Sequence, residues 1–192
     1  MFKKLVLATH NKGKVAEILD LLSPYGINVT SAGEMGFPEP IETETTFIGN
    51  ALIKAHASAK ASGLTALADD SGLCVAALNG DPGVYSADWA GVPRDFNVAM
   101  RRVWDGVENA PDKSAYFISV LALVTPDGQD QIFEGRCMGQ IVWPPRGEGG
   151  HGYDPIFVPD GETRTFGEMT LEEKQKYSHR AKAFEKFIEV LK

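Results

Sequence analysis

Two adjacent carboxylates, Asp69 and Asp70, stand in the run 67–74 (LADDSGLC). A small apolar stretch precedes them, and Ser71 and Gly72 follow, so they read as a strand ending in a turn at a sheet edge. Carboxylates placed there are hard oxygen ligands for a divalent cation that keeps open positions for substrate. Neighbouring carboxylates repel, so both stay ionised at low cost only beside a cation or in water. Taken alone, the four residues 69–72 are also ordinary turn chemistry. Glu42 and Glu44, ahead of a helical run, are acids that could join Asp69 or Asp70 around magnesium, or simply form a solvated acidic loop.

Cations recur at spacings that suit phosphate. Thr9, His10, Asn11, Lys12, Gly13 and Lys14 fall where a first strand gives way to a first helix. Free amides and the positive end of a helix dipole point there, Lys12 and Lys14 add charge, and Asn11 adds a donor. The run is not a Walker A loop, because it has one glycine and Val15 follows the lysine. Asn50 and Lys54 are four residues apart and share a helix face that could reach a second phosphate. Residues 149–155 (GGHGYDP) combine backbone freedom with two rings, His151 and Tyr153, that could stack on a base. His179 and Arg180 open the last helix, where positive side chains oppose the dipole, and Lys174 lies just before them. A pair in that position suggests a ligand that needs donors. Each of these segments also has a plain reading as surface or turn.

The elements that must position these groups follow from hydrophobic periodicity. Residues 4–8 read as a buried strand, and Val15, Ile18, Leu19 and Leu22 give a helix that ends before Pro24 and Gly26. A second strand covers 27–30, and 31–45 is loop. Residues 46–62 form an alanine-rich helix with Thr45 or Thr46 to cap it and Gly63 to end it. A short strand, 64–68, leads to the two aspartates. A helix from about 94 carries Phe96, Met100, Val103, Trp104 and Val107 on one face. Strands at 114–124 and 131–142 form a hairpin across Pro126, Asp127 and Gly128. Residues 170–173 (TLEE) are a capping box, and Ser178 caps a final helix that packs Phe184, Phe187, Ile188 and Leu191. Alternating strands and helices with one inserted hairpin predict an α/β fold, a mixed sheet with helices outside, in two lobes.

Composition narrows the function. The chain has 192 residues, 43% of them hydrophobic, which suits one large domain or two closely joined lobes. A net charge of −7 argues against extended nucleic acid as a partner, while a small anion needs only local positive charge. Cys74 and Cys137 are the only cysteines, too few for a zinc site or disulfide framework, and reduced thiols fit the cytoplasm. The apolar run after Lys4 is too short for a signal peptide or a membrane span.

Together the runs 7–14 (LATHNKGK), 46–54 (TFIGNALIK), 68–73 (ADDSGL), 82–86 (PGVYS), 152–157 (GYDPIF) and 178–180 (SHR) resemble the inosine/xanthosine triphosphate pyrophosphatase family. They occur in the family's order and span nearly the whole chain. The resemblance implies a single 1–192 domain with a long central mixed sheet, flanking helices and two lobes around an active-site cleft, and it implies a homodimer. It implies Mg2+-dependent hydrolysis of non-canonical purine nucleoside triphosphates to the monophosphate and pyrophosphate. By position, Asp70 takes the place of the catalytic, metal-binding carboxylate, and Glu42 that of a second metal-site acid. Thr9, His10, Asn11, Lys12, Gly13, Lys14 and Lys54 match phosphate contacts. Ser71, His151, Gly152, Tyr153, Asp154, Lys174, His179 and Arg180 match positions that hold the nucleotide and read its base. The chain departs from the family at Gly49, where a Glu is common, and at His151, where Phe is frequent. A related Maf-type pyrophosphatase and a non-catalytic nucleotide-binding module are the alternatives.

Overall fold

The computed structural model describes residues 3–191. Six strands form one sheet in the order β2-β1-β3-β4-β5-β6. β1 (Lys4–Leu7) pairs in parallel with β2 (Asn28–Ser31) and with β3 (Ala66–Val75). β4 (Ser114–Val124) and β5 (Asp130–Ile141) are the predicted hairpin, and β6 (Phe157–Pro159) adds antiparallel to β5. The sheet is therefore mixed, as alternating crossovers plus one hairpin require.

The helices begin and end on the residues whose chemistry favours caps. Asn11 caps α1 (Lys12–Leu22), and Thr46 caps α2 (Phe47–Ser62), which stops at Gly63 in the left-handed conformation. Asp95 caps α3 (Phe96–Val107). Thr170 and Glu173 form the capping box of α4 (Leu171–Gln175), and the Ala181 amide donates to the Ser178 hydroxyl at the start of α5 (His179–Glu189). A second box, Thr165 with Glu168, holds a short 3-10 turn that the sequence reading did not find.

The chain divides into two compact units. The first holds residues 1–70, 120–134 and 183–192. Its core gathers Leu5, Leu7, Ile18, Leu22 and Leu67 with Leu121, Phe133, Phe184, Phe187 and Leu191. The second holds 71–119 and 135–182, around Leu73, Val75, Met100, Val103, Phe117, Ile141, Phe157 and Phe166. Phe117, Phe157 and Phe166 contact one another there, with ring centroids 4.7–6.0 Å apart. β3 crosses from one unit to the other at the step from Asp70 to Ser71.

That strand corrects one expectation. Asp69 and Asp70 do not sit in a turn after a short strand; they lie in the middle of the ten-residue β3, buried on nearly its whole length. Turn preference is a local and weak effect, whereas a strand placed between two neighbours of a sheet has ladder bonds to fill on both sides.

Candidate active site

Successive strand residues point to opposite faces, so Asp69 and Asp70 meet different lysines. Asp69 is buried, with its carboxylate 3.8 Å from Lys14 Nζ, and Lys14 also donates to the Asp69 carbonyl at 3.4 Å. Asp70 is buried too, and its Oδ1 accepts from Lys54 Nζ at 2.9 Å. The same ammonium lies 3.0 Å from Glu42 Oε1. Asp70 Oδ2 is buried and accepts no hydrogen bond.

α2 turns polar groups inward to build this cluster. Asn50, Lys54 and Ser58 recur every four residues on its buried face. Asn50 Oδ1 accepts from the Glu44 amide at 3.0 Å and so fixes the acidic segment that carries Glu42. Gly49 lets this segment come close, since a Cβ there would stand 2.6 Å from Glu44 Cβ. Burial pushes the Asp70 carboxyl above its ordinary range, against the pull of Lys54. Burial also works against the Lys54 charge, but attraction from Asp70 and Glu42 outweighs it and raises its pKa. Among the described residues, no group of three or more His, Cys, Asp and Glu side chains gathers to hold a metal. The donor set the first unit offers a cation is therefore two carboxylates, Asp70 and Glu42, with one Asp70 oxygen unengaged.

The segment 9–14 is a strand-to-helix turn as expected, but it spends some of its donors on itself. Asn11 Oδ1 accepts from the Gly13 and Lys14 amides at 2.9 and 3.2 Å, so in this state Asn11 is an acceptor and those amides are not open to phosphate. Thr9 Oγ1 accepts from the Asn11 amide, and His10 Nε2 sits 2.7 Å from the Phe37 carbonyl, tying down the loop after β2. Lys12 is exposed, and Lys14 reaches the Asp69 end of β3.

The second unit assembles the remaining predicted residues. Lys174 Nζ and Asp154 Oδ2 form a buried ion pair at 2.6 Å. The same Asp154 oxygen accepts the His151 amide at 2.8 Å and so closes the glycine turn. Gly150 is required there: its φ is +74°, and a Cβ would come within 2.2 Å of Asp154 Oδ2. Gly152 also takes a positive φ, and His151 is exposed at the tip. Tyr153 is not a free stacking ring. It is buried edge-on against Phe96, and its hydroxyl donates to the Ser86 carbonyl at 2.7 Å. Burial pushes its phenol well above the ordinary range. His179 and Arg180 are buried at the start of α5; the His179 ring stacks on Phe117 with centroids 5.0 Å apart. Arg180 Nη2 donates to Ser71 Oγ at 3.3 Å.

Ser86 was not singled out as a site residue. Its Oγ accepts the Leu73 amide at 2.9 Å and donates to the Gly83 carbonyl at 2.6 Å, locking the 82–86 loop to β3 and to Tyr153. In the sequence it carries no signal beyond its place in the run 82–86 (PGVYS).

The Ham1 family profile matches residues 5–190. A dITP/XTP pyrophosphatase of Gluconobacter oxydans is 56% identical over 96% of this chain and 89% of its own length. The structure of a HAM1 protein from Coxiella burnetii is similar at a TM-score of 0.92 and 40% identity, covering 100% of this chain and 98% of that one. A nucleoside-triphosphatase / dITP/XTP pyrophosphatase from Mycobacterium abscessus is 42% identical, with a TM-score of 0.80 over 96% of this chain and 98% of its own. A profile match over nearly every residue, relatives at this identity and the same fold leave one conclusion: the chain belongs to the Ham1 family.

Proposed function

We propose that this protein hydrolyses non-canonical purine nucleoside triphosphates (ITP, dITP and XTP) to the monophosphate and pyrophosphate, with Mg2+. The observation that carries the reading is the convergence of Asp70 and Glu42 on one ammonium while Asp70 Oδ2 stays buried without a hydrogen bond. A buried, unsatisfied carboxylate oxygen beside a second acid fits a hard cation that takes its other ligands from water and phosphate. When bound by Asp70 and Glu42, Mg2+ would neutralise phosphate charge and polarise the attacking water. Lys14 and Lys54 would bind the triphosphate oxygens and balance charge on the leaving pyrophosphate. Asp70 would orient the water and receive its proton, a role served by burial that lifts its carboxyl.

Base choice falls to the second unit. Arg180 carries only donors, and His179 donates when suitably protonated. Such groups suit the 6-oxygen of hypoxanthine and xanthine and meet the 6-amino group of adenine donor to donor. The Asp154–Lys174 pair would hold the His151 turn in place beside the nucleotide. The names of the relatives support the same substrate class. The protein would act as a homodimer in the cytoplasm. The free Cys74 and Cys137 suit that compartment, and among the described residues no helix is long and apolar enough to cross a membrane.

A panel of nucleoside triphosphates with Mg2+, read as pyrophosphate released, tests the reading. ITP, dITP and XTP should exceed ATP and GTP by at least ~10²-fold in kcat/KM, as expected when buried polar groups are left unpaired. Asp70→Asn should lose at least ~100-fold in turnover while staying folded. ATP cleaved as efficiently as ITP would refute the base assignment, and an active Asp70→Asn variant would move the chemistry elsewhere.

A further inference from the structure

We infer that Lys54 occupies the cation position of the free protein and changes partners on loading, so that divalent metal and triphosphate bind cooperatively and metal alone binds weakly. This rests on the Mg2+ reading above. Lys54 Nζ lies 2.9 Å from Asp70 Oδ1 and 3.0 Å from Glu42 Oε1, bridging the two carboxylates as a cation would. The ammonium is buried beside Asp70, their side chains 8% and 10% exposed, so water screens that contact little, while Glu42 closes the group from the exposed side. A dication that took both acids would press against that ammonium at close range. The acceptor left uncommitted is Asp70 Oδ2, the buried oxygen that accepts no hydrogen bond.

Charge decides the order of events. Two carboxylates and one ammonium leave the group with one negative charge; a dication makes it positive, and a triphosphate reverses that again. The metal is therefore opposed by Lys54 until polyphosphate supplies new acceptors for the ammonium. The geometry permits the exchange. α2 is anchored at Asn50 and through its buried alanines, whereas a lysine stem has rotatable bonds that let Nζ swing without moving the helix. Lys54 thus keeps Asp70 and Glu42 together in the empty protein and releases them only when metal and phosphate arrive as a pair. A lysine that merely organised the acids would have the opposite signature, because its removal would loosen the metal.

Mn2+ binding followed by electron paramagnetic resonance separates these cases without turnover. In the absence of nucleotide, Lys54→Met should bind Mn2+ at least ~10-fold more tightly than the native protein, because a close unit charge no longer opposes it. Lys54→Arg, which keeps the charge, should stay within about 3-fold of native. Adding the α,β-methylene analogue of ITP should raise the Mn2+ affinity of the native protein at least ~10-fold and that of Lys54→Met by much less. Lys54→Gln serves as a second neutral variant if Lys54→Met does not fold. Equal or weaker Mn2+ binding by both neutral variants would overturn the inference while leaving the metal reading intact. Mn2+ bound by none of the proteins, with or without the analogue, would overturn the metal reading and the inference with it.

Discussion

Replacing Lys174 by Met should be among the most damaging single changes outside the acid cluster. Its ammonium is 2.6 Å from Asp154 Oδ2, and the two side chains are only 8% and 3% exposed. Removing the lysine leaves a buried carboxylate whose Oδ2 still accepts the His151 amide at 2.8 Å. Breaking a buried pair from one side costs about 3–5 kcal/mol. The surviving amide bond places Lys174→Met near the lower end, about 3 kcal/mol. That is a large part of the ~5–15 kcal/mol that holds a typical domain folded. All three tryptophans, Trp89, Trp104 and Trp143, belong to the second unit, so their fluorescence in a urea titration reports on the unit that holds the pair. At about 1–3 kcal/mol per molar urea, the midpoint should fall by ~1–3 M. Adding Asp154→Asn should recover much of the loss, because a neutral amide can still accept from the His151 N–H. The coupling between the two changes should then be at least ~2 kcal/mol. A single-variant cost below ~1 kcal/mol, with no coupling, would show that the pair is solvated and does not hold the glycine turn.

Three further outcomes are expected. Gly49→Ala, which in an ordinary helix interior would stabilise by roughly 0.5–1 kcal/mol, should here give no gain in melting temperature and lower kcat/KM for ITP at least ~10-fold, because its Cβ would stand 2.6 Å from Glu44 Cβ and displace the Glu42 segment; a more stable and fully active variant would refute this. The Thr170 amide and Arg164 hold the Glu173 carboxyl down to about 2 from 4.5, so its contribution to stability is complete at neutral pH and is lost as the pH falls through that window. Melting curves of native protein and Glu173→Gln should therefore converge between pH 4.5 and about 2, and a constant difference would contradict the cap. Burial pushes the Cys137 thiol up to about 11, so iodoacetamide at pH 8 should modify it at least ~100-fold more slowly in the folded protein than in urea, as judged by mass spectrometry of its peptide.

What was legible in the sequence is what neighbours along the chain decide. Thr46 and Gly63 bound α2, the Thr170–Glu173 box starts α4, Ser178 begins α5, and residues 114–124 are a strand, because caps and alternation act within a few residues. Asp70, Glu42, Lys14 and Lys54 also stood out as candidate site residues, from residue types and from the resemblance of six ordered runs, though nothing in the sequence paired the lysines with the acids. Tertiary structure alone decided how they are used. Local preference put Asp69 and Asp70 in a turn, and sheet pairing draws them into β3 instead, where alternation hands one to Lys14 and the other to Lys54. Tyr153 read as a ring for stacking, and a hydrogen bond to Ser86, 67 residues away, seats it in the core. Lys174 read as a ligand contact, and Asp154, 20 residues away, takes its charge. Asn11 read as a donor and became a cap. Sequence fixes which groups are available within a turn or two; which of them are spent on one another depends on burial, where an unpaired polar group is costly and the nearest partner comes from a distant segment.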